Sequence, residues 1–362
     1  MAERNTNGAG STNTQTDSGS ADTSGMDASG EAVRGDVGAL WRMLDLITPM
    51  ALRVVATLRI ADLIDEGNDG IDVLASRAGV DRVALWRVLR YLTAREVFRE
   101  PTPGRFALTD TARLLLDADP SATRRWIDLD GFGGRMDLAF FDLFATVRDG
   151  HPPVSCDKAT LPPDVAASYD TVMDAQSRAQ APAIVQALDW TNVHLVADIG
   201  GGTGTLLAAF LQAHPQARGT LLELPSTAAT AQRTLAAEGV GDRCEVLAGD
   251  LFEVMPAGAD VYILKFVLHF LEDAQAVTAL RRCRDAGHAG SRIAVIESTV
   301  GPDEDRGDFT AMDLRMLILG HGRERTLDEY ADLARQAGLR VTASLPTSTG
   351  LQVIELRRAT GS

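Results

Sequence analysis

Apolar residues recur at regular spacing only after residue 36. Residues 1–33 consist mainly of Gly, Ser, Thr, Asn, Ala and Asp, so they cannot bury enough apolar surface to offset the entropy of ordering. We therefore predict a disordered tail over residues 1–33 and assign it no function. Pro49 is expected to break or kink the helical stretch that follows. The apolar residues of that stretch, at helical spacing, are Leu40, Leu44, Ile47, Leu52, Val55 and Leu58.

The next elements have the order of a winged helix. Residues 71–78 predict a short helix that ends at a turn on Gly79, and Asp81 is the expected N-cap of a second helix. Two short strands are predicted on either side of a turn at residues 101–104. Helix, turn, helix and hairpin together form a winged helix, which we place in an N-terminal domain over residues 34–125.

The helical pattern continues to about residue 190. It is interrupted by Gly131, Gly133 and Gly134 and by the pair Pro152-Pro153. We predict that residues 126–190 form a helical linker that also caps a substrate site.

The pattern changes to alternating strands and helices from about residue 193. A helix is expected from Thr205, and residues 341–345 and 351–356 predict an antiparallel hairpin at the sheet edge. Such alternation is typical of a doubly wound, Rossmann-like parallel sheet, so the predicted fold class is α/β with an α-helical winged-helix domain in front. The predicted parallel strands are residues 193–199, 219–224, 244–248, 261–264 and 293–296.

Composition excludes several classes of protein. The 362 residues carry a net charge of −15, which opposes the phosphate neutralisation that nucleic-acid binding requires. No apolar run approaches the roughly 20 residues of a membrane span, and the N-terminus lacks a basic-then-apolar signal pattern, so a cytoplasmic location is expected. Cys156, Cys244 and Cys283 are scattered, which excludes a disulfide framework and a cysteine zinc site.

The glycine-rich segment at residues 198–204 points to a nucleoside cofactor. It reads Asp-Ile-Gly-Gly-Gly-Thr-Gly directly after a predicted strand, where glycines allow a sharp turn and a close approach to a ligand. Neither register gives the G-x-G-x-x-G of dinucleotide sites, and no lysine nearby would complete a phosphate loop. An acid followed by G-x-G-x-G suits S-adenosylmethionine (SAM), and the residues that fit this pattern are Asp198, Gly200, Gly202 and Gly204.

Further candidate cofactor residues end the next two strands. Glu223, with Leu224 beside it, could accept hydrogen bonds from both ribose hydroxyls. Asp250 could accept from the adenine amino group while Leu251 or Phe252 packs on the ring. Because the carboxyl ends of parallel strands share one edge, these acids are expected beside the glycine loop.

Five motifs occur in a fixed order along the chain: residues 198–204, Gly249-Asp250-Leu251-Phe252, Leu264-Lys265-Phe266-Val267-Leu268-His269, Ile296-Glu297, and Glu324-Arg325-Thr326 before Ala337-Gly338. With these motifs in this order, the chain resembles the two-domain small-molecule O-methyltransferases. That family includes plant caffeic-acid and isoflavone enzymes and bacterial enzymes that tailor aromatic antibiotics. The resemblance covers about residues 36–358 and implies a SAM-binding catalytic domain over residues 191–358. It also implies a homodimer formed through the N-terminal domain, no DNA binding and no metal.

The resemblance also implies the catalytic residues. His269 corresponds to the general base, Glu297 and Glu324 to its flanking acids, and Lys265 to a position that touches the cofactor. A histidine near pKa 6.5 suits removal of a phenol proton, after which methyl transfer needs mainly in-line positioning. The chain departs from the usual His-Asp-Trp because Phe270 follows His269, which alters the local shape of the site.

The acceptor is expected to be an aromatic natural product carrying a hydroxyl. Soft or flat apolar side chains suit such a ring, and the candidates are Phe132, Met136, Met173, Met316 and, between two glycines, His321. N- or C-methylation, or non-methylating chemistry with SAM bound, remains an alternative on this fold. A winged-helix regulator is a third interpretation, since Arg82, Arg87 and Arg90 lie on the candidate recognition helix, although the net charge opposes it.

Overall fold

The computed structural model describes residues 36–152, 161–299, 307–320 and 322–359. The predicted tail at residues 1–33 and the candidate His321 lie outside the described residues. The chain divides into two units, residues 1–47 and 48–362, and each is described by itself. In the ranges that are described, no helix is both long and apolar enough to cross a membrane.

The described N-terminal elements follow the predicted order. Helix α4 ends at Gly79 with φ 68°, and Oδ1 of Asp81 accepts from the backbone N–H of Ala84 at 2.7 Å as an N-cap. Pro49 lies within the first turn of α2, where its missing N–H is not needed, so the break precedes it. The elements are α1 Val37–Met43, α2 Ile47–Thr57, α3 Ile60–Asp65, α4 Ile71–Ala78, α5 Arg82–Ala94, β1 Phe98–Thr102 and β2 Arg105–Leu108. Strands β1 and β2 pair antiparallel as the predicted hairpin.

The middle region is helical, but two of its glycines do not interrupt it. Gly133 and Gly134 lie inside helix α8, so the expectation of a break there is wrong. A Cβ on Gly133 would lie 2.1 Å from the carbonyl oxygen of Trp126, and one on Gly134 would lie 2.1 Å from that of Asp128. Glycine is therefore required by the close approach of α8 to the end of α7. The helices are α6 Asp110–Arg113, α7 Thr123–Ile127, α8 Phe132–Leu138, α9 Leu143–Asp149 and α10 Pro163–Ala187.

The remaining elements form a seven-stranded sheet with helices between its strands. The strand order is β5-β4-β3-β6-β7-β9-β8, with five parallel strands and an antiparallel β8–β9 hairpin at one edge. This confirms the predicted α/β fold and edge hairpin. The elements are β3 Leu195–Ile199, α11 Thr205–Ala213, β4 Arg218–Glu223, α12 Pro225–Ala237, β5 Cys244–Ala248, β6 Val261–Lys265, α13 Asp273–Ala286, β7 Arg292–Glu297, α14 Gly307–Leu319, α15 Leu327–Gln336, β8 Leu339–Pro346 and β9 Gln352–Arg358.

The sheet places the candidate residues at one edge. Strand β7 is buried at every position, and the sheet separates two large apolar clusters, as expected for strands covered on both faces. The chain order reverses between β3 and β6, and ligands of doubly wound sheets bind at the carboxyl ends of the strands beside such a reversal. The glycine loop follows β3, and the turn that carries His269 follows β6.

Candidate active site

The glycine loop turns sharply and is tied to the end of β4. Gly200, Gly202 and Gly204 have φ values of 68°, 59° and 85°, which side chains with a Cβ rarely adopt. The carboxylate of Glu223 accepts from the backbone N–H of Gly202 and from that of Leu224, each at 2.8 Å. The predicted acid of β4 therefore already orients the loop.

Gly201, which the sequence did not single out, has the least space for a Cβ of any glycine in the loop. A Cβ at this position would lie 2.5 Å from Oδ2 of Asp198. Asp198 is 1% exposed, and its Oδ2 has no hydrogen-bond partner among the described residues. Burial raises the pKa of Asp198 to about 7. A buried carboxylate oxygen without a donor among the described residues, beside a glycine that leaves no space for a Cβ, suits a cofactor that supplies the donor.

A cavity of about 510 Å³ adjoins this loop. Its lining includes these predicted residues: Asp198, Gly200, Gly202, Glu223, Leu224, Lys265, Phe132, Met173 and Met316. It also includes residues that were not predicted, among them Gly201, Leu161, Tyr169, Asp170, Ser177, Phe270, Leu319 and Gly322. The predicted residues that do not line it are Gly204, Asp250, Leu251, Phe252, Met136, His269, Glu297 and Glu324.

The proposed adenine-binding segment lies at the carboxyl end of β5, outside this lining. The backbone N–H of Phe252 donates to Oδ1 of Asp250 at 2.7 Å, so the carboxylate orders its own turn. Leu251 and Phe252 are partly buried against the apolar cluster on one face of the sheet. Contact of these three residues with adenine stays a prediction.

His269 is buried together with two carboxylates. Its side chain is 7% exposed, and those of Glu297 and Glu324 are 0% exposed. Its Nδ1 lies 2.8 Å from Oε1 of Glu324 and 3.9 Å from Oε2 of Glu297. Nε2 has no hydrogen-bond partner among the described residues. When Nδ1 carries the proton and donates it to Glu324, Nε2 presents a lone pair.

Burial and neighbouring charges shift the pKa values in this cluster in opposite directions. Burial alone would lower the pKa of His269, but the charge of Glu297 and the hydrogen bond and charge of Glu324 outweigh it, so the pKa is raised above 6.5. Burial raises the pKa of Glu297 to about 7, against the opposing effect of His269. Oε1 of Glu297 also accepts from the backbone N–H groups of Val267 and Leu268 at 3.2 and 3.0 Å. Glu297 thus holds the turn that carries the imidazole.

Two residues that the sequence analysis did not assign a role position the same turn. Arg325 is fully buried, and its guanidinium donates to the carbonyl oxygens of Leu268 at 2.7 Å and Leu271 at 2.6 Å. A Cβ on Gly322 would lie 2.1 Å from the carbonyl oxygen of His269. The Glu-Arg-Thr motif contained Arg325, but only contacts with the turn at residues 268–271 reveal its role.

Helix α10 contacts both the glycine loop and β6. The carboxylate of Asp174 accepts from the hydroxyl of Thr203 at 3.0 Å, and Lys265 Nζ donates to the hydroxyl of Ser177 at 3.3 Å. Burial lowers the pKa of Lys265 to about 8, partly opposed by Asp198. Lys265 therefore lies in the cavity beside the loop acid, as its predicted cofactor role requires.

The other end of the cavity is apolar. Phe132 and Met316 belong to a cluster in which Met136 and Leu319 are also buried. Phe132 meets Tyr169 edge-on at 4.6 Å between ring centroids. Met136 supports this wall from behind without lining the cavity. Within the described residues, no group of three or more His, Cys, Asp or Glu side chains could hold a metal ion.

A doubly wound sheet with an acid-glycine loop at its order reversal, an apolar cavity end and a buried histidine fits the class of SAM-dependent transferases. The sequence profile of the O-methyltransferase domain matches residues 154–340, and that of the O-methyltransferase dimerisation domain matches residues 41–118. The chain belongs to this O-methyltransferase family, and it is a SAM-dependent O-methyltransferase with a dimerisation domain.

Bacterial biosynthetic enzymes are among its relatives. The chain is 40% identical over 313 residues to 2,7-dihydroxy-5-methyl-1-naphthoate 7-O-methyltransferase of Streptomyces carzinostaticus, covering 84% of this chain and 93% of that one. It is also 40% identical over 306 residues to aclacinomycin 10-hydroxylase RdmB of Streptomyces purpurascens, covering 82% of each chain. The crystal structure of NcsB1 from neocarzinostatin biosynthesis, with SAM and 2-hydroxy-5-methyl naphthoic acid, superposes with a TM-score of 0.81 at 38% identity, covering 88% of this chain and 98% of that one.

Proposed function

We propose that this enzyme methylates a hydroxyl of an aromatic natural product and that His269 is its general base. The observation that carries the proposal is Nε2 of His269, which is buried and without a partner in the described structure while Nδ1 bonds Glu324. The apolar cavity end formed around Phe132 and Met316 supports a flat acceptor. The naphthoate specificity named for one relative supports the same substrate class.

The residues around the glycine loop fit SAM. Asp198 offers an acceptor oxygen without a donor in the described part of the chain, Glu223 lies at the loop, and Gly201 leaves room that a Cβ would fill. SAM, when bound, supplies an electrophilic methyl group on a sulfonium and needs no further activation. The protein has to hold the acceptor oxygen in line with that methyl group and accept its proton.

His269, Glu297 and Glu324 can together move that proton as follows. Nε2 of His269 accepts the hydroxyl proton as the oxygen attacks, and the imidazolium that forms is stabilised by Glu324 at 2.8 Å and Glu297 at 3.9 Å. The charge that appears on the ring therefore appears beside two carboxylates that face Nδ1. Arg325 and Gly322 keep the turn in place while this happens.

His269→Ala tests the base. The variant should bind S-adenosylhomocysteine like the wild type, while kcat falls by about 10²–10⁴, the usual contribution of a positioned base. 1-Naphthol and 1,4-dihydroxy-2-naphthoic acid serve as acceptors, with S-adenosylhomocysteine release as the readout. The loss should shrink as pH approaches the pKa of the acceptor hydroxyl, because the oxyanion then forms without help.

His288→Ala is the matched control, since this histidine is half exposed and bonds Asp260 instead. It should retain the wild-type rate. If His269→Ala costs less than about threefold at every pH, the base assignment is wrong. Hydroxylation, the activity named for RdmB, would gain support if an acceptor were consumed without stoichiometric S-adenosylhomocysteine.

We further infer that the chain forms a homodimer through its N-terminal domain, residues 34–125. Leu40, Trp41 and Met43 on α1 are 58%, 69% and 82% exposed, which is unusual for large apolar side chains so close together. Trp41→Asp should convert the dimer to a monomer in sedimentation velocity at micromolar concentration. Ala237→Asp, on the exposed side of α12, is the control and should remain dimeric; a wild-type monomer with full activity would contradict the inference.

A further inference from the structure

Phe270 contacts both the imidazole and the acceptor end of the cavity. Its ring lies edge-on to that of His269, with centroids 4.3 Å apart and planes at 70°. It lines the cavity and packs against the apolar cluster that contains Phe132 and Met316. His269 does not line the cavity, so the ring of Phe270 connects the imidazole to the space where an acceptor would lie.

The position of this ring is tightly constrained. A Cβ on Gly322 would lie 2.8 Å from Cα of Phe270, so the loop before Glu324 packs directly on its backbone. On the imidazole, Phe266 adds a second aromatic contact, stacked at 5.3 Å with planes 28° apart. The imidazole therefore has phenyl rings as neighbours in addition to the carboxylates that face Nδ1.

Acidic side chains outnumber basic ones in the described lining of the cavity. The acidic side chains of the lining are Asp170, Asp198, Glu223 and Glu272. Among the described residues of that lining, Lys265 is the one basic residue, and it is hydrogen-bonded to Ser177. A ligand carboxylate beside Phe270 would lose its water shell without gaining a contact to a cation other than Lys265 from the described lining, which is costly.

We propose that Phe270 is a specificity-determining residue that selects acceptors with no charged group on the ring position next to the reacting hydroxyl. The inference rests on the proposed function, because it assumes that the hydroxyl approaches His269. It assigns the acceptor class more narrowly, as phenols or naphthols without an ortho carboxylate. A phenyl ring at this position excludes water and offers a flat apolar contact but no hydrogen bond.

Two probes that differ by a single carboxylate test this assignment. Binding of 1-naphthol and of 1-hydroxy-2-naphthoate to the full chain saturated with S-adenosylhomocysteine is measured by calorimetry at pH 7.5. The wild type should bind 1-naphthol about tenfold or more tightly than the carboxylate, because the latter must be desolvated unpaired. Phe270→Asn admits water and a hydrogen-bond donor, so the ratio should fall to about threefold or less.

The control variants separate shape from charge. Phe270→Leu should weaken both probes and keep their ratio, because the position stays apolar. Phe132→Leu, in the same wall but without contact to the imidazole in the described structure, should also keep the ratio. S-adenosylhomocysteine affinity equal to that of the wild type confirms that each variant is folded.

Several outcomes would overturn the inference. Equal wild-type affinity for the two probes, tighter binding of the carboxylate, or no binding of either at millimolar concentration each contradicts it, and the wild-type ratio decides even if Phe270→Asn fails to fold. An unchanged ratio in folded Phe270→Asn shows that another residue sets the preference. These are binding results, whereas the base is tested by turnover of His269→Ala, so one proposal can fail without the other.

Discussion

Replacing Arg325 by methionine should strongly destabilise the turn that carries His269. The guanidinium is 0% exposed and donates to the carbonyl oxygens of Leu268 and Leu271 at 2.7 and 2.6 Å. Hydrogen bonds to a charged group contribute about 1.5–3 kcal/mol each, and a buried carbonyl left without a donor costs a similar amount. The ion pair with Asp273 adds about 0–1 kcal/mol, since that carboxylate is 53% exposed.

The net loss is smaller than the sum, because the wild type also carries the cost of desolvating a guanidinium. Methionine fills much of the same volume without that cost, so we expect Arg325→Met to lower the free energy of unfolding by about 2–4 kcal/mol. Activity should fall further than stability alone explains, because the turn it holds carries His269. S-adenosylhomocysteine affinity should change little, since Arg325 does not line the cavity.

Urea unfolding followed by both circular dichroism and tryptophan fluorescence measures this loss, and coincident curves justify a single transition. Arg323→Met is the matched control, because Arg323 is 43% exposed and pairs only with half-exposed Asp273 and Glu329 among the described residues. It should cost less than about 1 kcal/mol. The reasoning is refuted if Arg325→Met costs less than about 1 kcal/mol or no more than Arg323→Met.

Two further predictions concern the loop and the pH dependence. Gly201→Ala places a Cβ 2.5 Å from Oδ2 of Asp198, whereas a Cβ on Gly70 meets nothing within 4 Å and Gly70 has an ordinary φ of −82°, so Gly201→Ala should weaken S-adenosylhomocysteine binding in calorimetry and Gly70→Ala should not; equal affinities would contradict the steric argument. Burial lowers the pKa of His269, but Glu297 and Glu324 raise it by more, so this pKa lies above 6.5. A histidine that acts as a base must be neutral, so kcat/KM should rise with pH through a midpoint above 6.5. Glu297→Gln removes one of the charges that raise this pKa and should move the midpoint to lower pH; a shift to higher pH would show that Glu297 does not act through its charge.

Local patterns predicted the order of the elements well. The period of apolar residues and the turn residues located β5 at Cys244–Ala248 and α4 at Ile71–Ala78 with correct bounds. The N-cap at Asp81 was also confirmed. These features depend on a few adjacent residues, whose types alone favour a strand, a helix or a cap.

Close contacts between distant segments could not be predicted from such local patterns. Glycine usually interrupts a helix, so Gly133 and Gly134 were expected to break one, yet they lie in α8 where it meets the end of α7. Similarly, Gly201 does not belong to the G-x-G-x-G pattern, but its missing Cβ makes room for Asp198. The requirement in each case comes from an atom on another segment.

Local patterns along the chain were enough to predict the α/β class, the glycine-rich loop after β3 and the titratable residues that follow β6 and end β7. Only the tertiary structure decided that Glu324, 55 residues away, bonds Nδ1 of His269 at 2.8 Å while Glu297 holds the turn by its backbone. It also decided that the phenyl ring after His269 contacts the imidazole and lines the cavity. Periodicity is a local property of the chain, whereas these roles depend on distances that the packing of β6, β7 and the loop before α15 sets.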